Sequence, residues 1–542
     1  MSAPRALHRP PPAAYWLAGA LLLLPWFYRV PWDTPRAIPL VLLTPALVLG
    51  HRELSAALGH IFSARPGVTV PLLVLLGAVL LSTAMSPHWA ASAVTAATWC
   101  LLALTAVLVG QLIAAAPATS TLLAGALAAS SAIGVVVHAA RWIGGEPPDY
   151  AFYVHHRLMG LHTFGGALAS LALLVWTWPK TTAPRLLWLV VGLVNWAGLL
   201  WTGSRSPLIG IAVAVALWLF KMERPARRQL LFASVFLVAG GLVLSVIAWT
   251  PEPYLGWWSA WTRSAGATTA AAITSNRSDF WLSALNHVRA APWFGHGADA
   301  YGYLTPQLEG AQPHNLALQL VLDLGVPGAF CALLLLAGCL WRGYRASSAS
   351  SAQLFWAAFA TGCVVASFLD GYFYYTLAAL PAMIALGASA TSQPPTDPTP
   401  SPRPLARAVM RLWPFIAAAS AALLLLHSVL FHLAAHRPTP VSPSAFTARL
   451  WHAFPSTTVN VDEWVPRWTT PFPDAALATA RRAIPHSQTP ELFRVQIARL
   501  LAQRGDFAGA IAELERARAD SRPTQHAALD ILLARMRASA AP

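Results

Sequence analysis

Charged residues are scarce in this 542-residue chain: Asp, Glu, Lys and Arg together make up 11% of it. So few charges exclude an ordinary soluble domain, which draws about a quarter of its residues from these four types. Cysteine is scarcer still. Cys100, Cys331, Cys339 and Cys363 all fall inside apolar runs, so they supply neither a disulfide framework nor a zinc site and read as small core residues. Segments of alternating apolar and polar residues, the mark of a membrane barrel, are missing too. What abounds is hydrophobic sequence, at 56%, gathered in runs of about 17 to 25 residues that suit a helix crossing the hydrocarbon core. The expected class is an all-α polytopic membrane protein.

The net charge of +15 sits in short loops between those runs, where basic residues set membrane orientation rather than bind nucleic acid. No nucleic-acid partner is expected; membrane lipids are. Arg5, His8 and Arg9 before an apolar run from Ala13 resemble the opening of a signal peptide, but no cleavage site follows Tyr28, so a retained first helix is expected.

Candidate spans are 13–28, 37–50, 68–85, 93–115, 120–142, 160–178, 186–202, 207–220, 229–249, 316–341, 353–369, 372–390 and 412–433, about 12 to 13 helices. Lys221, Arg224, Arg227 and Arg228 crowd the gap after the eighth run, while Arg52 with Arg65, Lys180 with Arg185, and Arg342 with Arg345 fill other even-numbered gaps. By the positive-inside rule those gaps are cytoplasmic. The N-terminus is then inside, and the odd gaps, including the long segment 250–314, lie outside.

Six arginines break that rule: Arg141, Arg157, Arg205, Arg263, Arg277 and Arg289 all fall on the outer side. One or two such residues commonly bind headgroups, the ordinary reading for Arg141 or Arg289. Arg205 differs, because Trp201-Thr202-Gly203-Ser204-Arg205-Ser206-Pro207 is a tight loop that holds its guanidinium near the interface, where burial calls for an anion. A phosphate, gripped by two parallel hydrogen bonds, suits it. Arg277, in Ser275-Asn276-Arg277-Ser278-Asp279-Phe280-Trp281, is the second candidate, with Asp279 as its alternative partner.

The segment 250–314 has the length of a functional loop. It opens on an aromatic cluster (Tyr254, Trp257, Trp258, Trp261) read as an interfacial belt, and it carries the turn Pro292-Trp293-Phe294-Gly295-His296-Gly297. At its end His314-Asn315 leaves a polar loop for an apolar run. A neutral imidazole there has the basicity to take a proton near neutral pH.

Three further domains follow residues 1–390: a proline-rich linker at 391–411, one more span at 412–433, and a tail at 434–542 placed outside by the helix count. In the tail, Pro490 to Ala519 contains two amphipathic helices around Gly505, spaced like one tetratricopeptide-type hairpin (TPR-like). One hairpin cannot bury its own apolar face, so a helix near Ala475 to Ile484 is expected to pack on it.

The order of Thr202-Gly203-Ser204-Arg205, Asn276-Arg277 with Trp281, the turn at Pro292–Gly297, and His314-Asn315 with Leu318, Asp323 and Gly325 resembles the O-antigen ligase, Wzy polymerase and pilin O-oligosaccharyltransferase superfamily (Wzy_C type) over about residues 70–390. The resemblance implies a GT-C-like membrane bundle in the bacterial inner membrane, with its active site on the periplasmic face. It implies a metal-independent inverting glycosyltransferase, without cofactor, that uses an undecaprenyl-diphosphate-linked glycan. Carried over by residue, Arg205 and Arg277 bind the donor diphosphate, and His314 is the general base for the acceptor hydroxyl. Asn315, Asp323, Asp370, Tyr372 and His162 are possible supporting or acceptor-site residues.

Two departures stand out. The family usually has Glu nine residues after the histidine, where this chain has Asp323. Nine residues turn a helix through about 900°, which points Asp323 away from His314. Many relatives also carry a Pro-Asn or Gln-Pro-Asn element where this chain has Gly160-Leu161-His162-Thr163-Phe164-Gly165; His162 is its polar substitute, or a solvated helix end. Asp370 lies in an outer gap, in Phe368-Leu369-Asp370-Gly371-Tyr372-Phe373-Tyr374-Tyr375, whose tyrosines either stack on sugar or form an interfacial belt.

Three acceptors fit: a lipid A-core sugar, a Ser or Thr of a pilin-like protein, or a growing repeat unit. The other classes are a polytopic lipid or glycan transporter, which would place charges near the midplane rather than at one face, and a membrane scaffold, in which His314 would be replaceable.

Overall fold

The computed structural model describes residues 9–29, 34–64, 66–145, 153, 156–178, 182–247, 255–259, 262, 277–305, 312–346, 350–390, 403–435, 477, 481, 484, 490–521 and 523–540. The described residues contain helices and no strand. In chain order these are α1 (Pro12–Leu23), α2 (Thr34–Leu49), α3 (His51–Ala64), α4 (Pro66–Met85), α5 (Trp89–Ala115), α6 (Ala118–Ile143), α7 (His156–Thr177), α8 (Thr182–Trp201), α9 (Arg205–Lys221) and α10 (Arg224–Ile247). Then follow α11 (Arg277–Ala290), the single turn α12 (Tyr301–Leu304), α13 (Leu316–Ala346), α14 (Ser351–Ser367), α15 (Thr376–Ser389) and α16 (Pro404–Ala435). Last come α17 (Pro490–Gln503), α18 (Phe507–Asp520) and α19 (Pro523–Ala540).

Every apolar run read from the sequence falls on a helix, but not every helix spans. Among the described residues eight are long and apolar enough to cross a membrane, or nine if α2 and α3, bent by 86°, count as one broken span. The shortfall from the expected 12 to 13 lies in short helices such as α14, α15 and the apolar helix Pro12–Trp26. The 17 residues of α9 or α14 rise about 25 Å, short of a hydrocarbon core about 30 Å thick.

The bundle is organised around α7, which is buried along its span while α4 faces outward. Gly160, Gly165, Gly166, Ala167, Ala169, Ser170 and Ala172 make α7 thin enough for neighbours on all sides. The contact that matters for the site joins α9 and α14. A Cβ on Gly210 would collide with the Gly362 carbonyl, and one on Gly362 with the Gly210 carbonyl, so the two backbones touch. That approach brings the start of α9, with Arg205 and Ser206, to the loop that follows α14.

Helix α13 is broken. Gly325 adopts φ 71 and ψ 174, which interrupts the hydrogen-bond ladder and frees carbonyls upstream of Pro327. The turn at Pro292–Gly297 repairs it: His296 N donates to Leu322 O (2.8 Å), Gly297 N to Asp323 O (3.1 Å), and Val326 N to Pro292 O (2.8 Å). Any side chain on Gly295 or Gly325 would run into the opposing backbone. Two glycine motifs separated in the chain therefore form one joint.

Helix α16 begins at Pro404, ahead of the expected start at 412, because proline is well suited to a first helical turn. In the tail, α17 and α18 form the expected hairpin, with Gly505 at φ 81 in the turn, and α19 adds a third helix that the sequence reading did not anticipate. Leu477 and Ile484 of the expected upstream helix lie in this small core with Ile497, Leu501, Leu514 and Leu533. Buried Glu513 is held there by Arg481 (3.1 Å), Arg494 (3.1 Å) and Arg516 (3.3 Å). Tyr254, Trp261, Arg263, Ser275, Asn276, the Pro-rich run at 393–402 and the start of the tail lie outside the described residues.

Candidate active site

His314 sits just before α13 in a left-handed backbone conformation, φ 52, uncommon for a residue with a side chain. Such strain persists where surrounding structure holds it. Here four contacts do so. Asn315 caps α13 by accepting from Leu318 N (3.1 Å) and donates to Phe368 O (3.3 Å), tying the loop to the end of α14. Trp281 of α11 donates its indole N–H to Pro313 O (2.9 Å), and the Phe280 ring lies 5.8 Å from the imidazole.

The imidazole is 2.9 Å from a carboxylate: His314 Nδ1 meets Asp370 Oδ1. Asp370 also accepts from Gly371 N (2.8 Å) and from Ser206 Oγ (3.0 Å), with Arg277 at 3.6 Å. Burial alone would push the Asp370 carboxyl up, but the His314 hydrogen bond and the charges of Arg277 and Arg157 outweigh it and hold it well below the usual carboxylate range. A carboxylate has no proton to give, so Nδ1 carries the hydrogen. Nε2 is then a basic lone pair, fixed in tautomer and direction.

Around this pair the positive charges converge. Burial lowers the Arg277 pKa, Asp370 partly offsets that, and Arg157 and Arg205 lower it further. Burial and Arg157 likewise lower that of Arg205. Three guanidiniums within Coulomb range of each other, two of them also acting on the Asp370 carboxylate, form an arrangement that can hold an anion. Arg157 was noted in the sequence as an outer-face exception but given no role; its place at the start of α7, beside Arg205 and Arg277, supplies one. Ser206 was missed as well, its signal being adjacency to Arg205.

The structure thus gathers His314, Asn315, Asp370, Arg277 and Arg205, and sets three other candidates apart. Asp323 is fully buried on the intact first part of α13, bound by Tyr374 Oη (2.5 Å) and Gln319 Nε2 (3.1 Å), next to the joint at Gly325. Tyr372 donates to Leu161 O of α7 (3.1 Å) and packs edge-on against Phe164, so its hydroxyl is spent inside the bundle. His162 is fully buried, one ring nitrogen on Tyr153 Oη (2.8 Å) and the other facing Ser130 Oγ (3.3 Å). No ring nitrogen of His162 is left for a sugar hydroxyl.

Residues 188–333, from α8 to the second half of α13, match the Wzy_C family, described as O-antigen ligase. This segment is similar to O-antigen ligases. No curated protein matches the chain. The matched segment contains Arg205, Arg277 and His314, while Arg157 and Asp370 come from helices and loops on either side of it. The match supports a ligase-type glycosyltransferase in general, in a multi-pass membrane setting consistent with the eight apolar helices among the described residues. A base with a fixed lone pair beside a cluster of guanidiniums is an arrangement that can deprotonate a hydroxyl while an anionic leaving group departs.

Proposed function

We propose that the protein is a periplasmic-face inverting glycosyltransferase of the bacterial inner membrane that moves a glycan from undecaprenyl diphosphate to an acceptor hydroxyl. The observation that carries this reading is the His314–Asp370 pair set against Arg157, Arg205 and Arg277. His314 Nε2 takes the proton of the acceptor hydroxyl as its oxygen forms a bond to the anomeric carbon. The bond from that carbon to the diphosphate oxygen breaks, and the diphosphate leaves with the electron pair. Attack from the face opposite the leaving group inverts the anomeric centre. Asp370 stabilises the imidazolium that forms, and the arginines neutralise the charge that develops on the diphosphate, which lowers the barrier where it matters most.

The acceptor is a lipid A-core sugar, a protein Ser or Thr, or a repeat unit. A glycan profile of a deletion strain, scoring lipopolysaccharide and pilin-like proteins separately, names it by which one loses its glycan. The chemical role is tested with purified protein, lipid-linked donor and that acceptor: His314→Ala abolishes transfer while donor binding persists. Full transfer by His314→Ala would overturn the general-base role.

A further inference from the structure

Asp323 is not among the groups that meet at His314, yet it is tied to them from two directions. Its fully buried carboxylate accepts from Tyr374 Oη at 2.5 Å, from Gln319 Nε2 at 3.1 Å and from the backbone N–H of Asp299. Those donors come from three segments: the loop after α14, the first part of α13, and the stretch that follows the turn at Pro292–Gly297. A buried carboxylate is a costly way to gain stability. What it supplies is direction, because few geometries satisfy three converging donors at once.

Tyr374 stands four residues after Asp370, and the hydrogen bonds between them leave little slack. Tyr374 N donates to Gly371 O (3.0 Å) across a single 3₁₀ turn, and Gly371 N donates to Asp370 Oδ1 (2.8 Å). The same Oδ1 meets His314 Nδ1 at 2.9 Å. His314 in turn leads into α13, whose residues from Leu316 to Asp323 span about 10 Å of helix. Two segments are thus joined at both ends, His314 to Asp370 at one and Asp323 to Tyr374 at the other, and the contacts close into a ring. The Tyr374 side chain is itself fixed edge-on against Trp99, 5.6 Å between centroids. Among the described residues two without a glycine's freedom are left-handed, His314 (φ 52) and Asp299 (φ 63), and this ring grips the segments of both.

We propose that the Asp323–Tyr374 hydrogen bond is a positioning contact for the transfer reaction, setting how His314 and Asp370 meet by fixing the far ends of the segments that carry them. The proposal rests on the glycan-transfer reading above. Neither residue holds substrate; their effect passes through Asp370, so it falls on kcat and leaves substrate affinity alone. A misplacement of about 1 Å in such a group can cost about 10²-fold in rate.

The experiment uses the full-length protein in lipid nanodiscs, with the lipid-linked donor and the acceptor identified by the glycan profile. Tyr374→Phe deletes the hydroxyl and keeps the ring against Trp99. Should the stranded carboxylate prevent folding, Tyr374→Phe with Asp323→Asn removes its charge as well. The expected result is a loss of kcat of about tenfold, with both KM values within about twofold of wild type. The same change is then made in Asp370→Asn, whose residual rate is read in single turnovers of radiolabelled donor. There it costs nothing further if it acts through Asp370, whereas a general structural loss lowers both backgrounds by one factor. Wild-type kcat in Tyr374→Phe, a loss carried by KM, or an equal loss in both backgrounds overturns the proposal. If His314→Ala also transfers, the glycan-transfer reading fails; if His314→Ala is inactive and Tyr374→Phe is unimpaired, only the positioning role fails.

Discussion

The indole N–H of Trp281 donates to the carbonyl of Pro313 at 2.9 Å, so α11 steadies the residue immediately before His314. Trp281→Phe keeps most of the ring and deletes that donor. It is expected to lower kcat about tenfold through looser placement of the base, with little change in donor KM, as read from steady-state transfer kinetics. An unchanged kcat would show that Asn315 alone positions the loop.

Asp370→Asn removes the charge opposite the imidazole and lets the wrong tautomer form. A loss of kcat of about 10²- to 10⁴-fold is expected while the protein still folds. The folded-state pKa of Asp370 lies below its unfolded value, so its contribution to stability is fully present above about pH 4 and is lost as pH falls through the folded value. Thermal midpoints of the wild type and Asp370→Asn therefore converge in strong acid and separate above it. Parallel curves across that range would contradict the assignment.

Arg157 is the charge that sequence reasoning left without a role. Arg157→Ala is expected to reduce kcat/KM for the lipid-linked donor about 10- to 100-fold, with acceptor KM unchanged. Arg277→Lys should lose activity as well, because an ammonium cannot reproduce the fork geometry of a guanidinium. Donor titrations against both variants decide this, and a normal donor KM and kcat in Arg157→Ala would remove it from the site.

The joint at the break of α13 is a matter of backbone contact. Gly325→Ala and Gly295→Ala each place a Cβ into opposing backbone at a positive φ, a conformation that costs about 1–3 kcal/mol where it must be forced. Both variants should show a lowered thermal midpoint and faster amide exchange over 292–297, whereas Gly338→Ala, with open space around it, should not.

His296 Nε2 lies 2.9 Å from His287 O beside this joint, and burial followed by the His296 charge lowers the His287 pKa. A base with a lowered folded pKa binds its proton better when unfolded, so stability is full above about pH 6.5 and declines as pH falls from there toward the folded value. Amide exchange over 287–297 should accelerate across that window in the wild type and not in His287→Phe.

Much of this architecture was legible in the chain. Each apolar run became a helix, because apolar length in lipid leaves the backbone no other way to satisfy itself. Arg205 and Arg277 flagged the site because a guanidinium held near the membrane interface needs an anion. What could not be read was partnership: Asp370 reaches His314 across 56 positions through the glycine contact of α9 and α14, which no local spacing encodes. The count of full spans was also beyond hydropathy, since α14 and α15 are apolar through burial against neighbours rather than against lipid.

The five groups that define the site come from five places: Arg157 from α7, Arg205 from α9, Arg277 from α11, His314 from the loop before α13, and Asp370 from the loop after α14. No contiguous stretch holds the chemistry. On the proposed function, the nascent chain is inert during synthesis until α14 has docked, so a stalled or truncated product would not consume the donor.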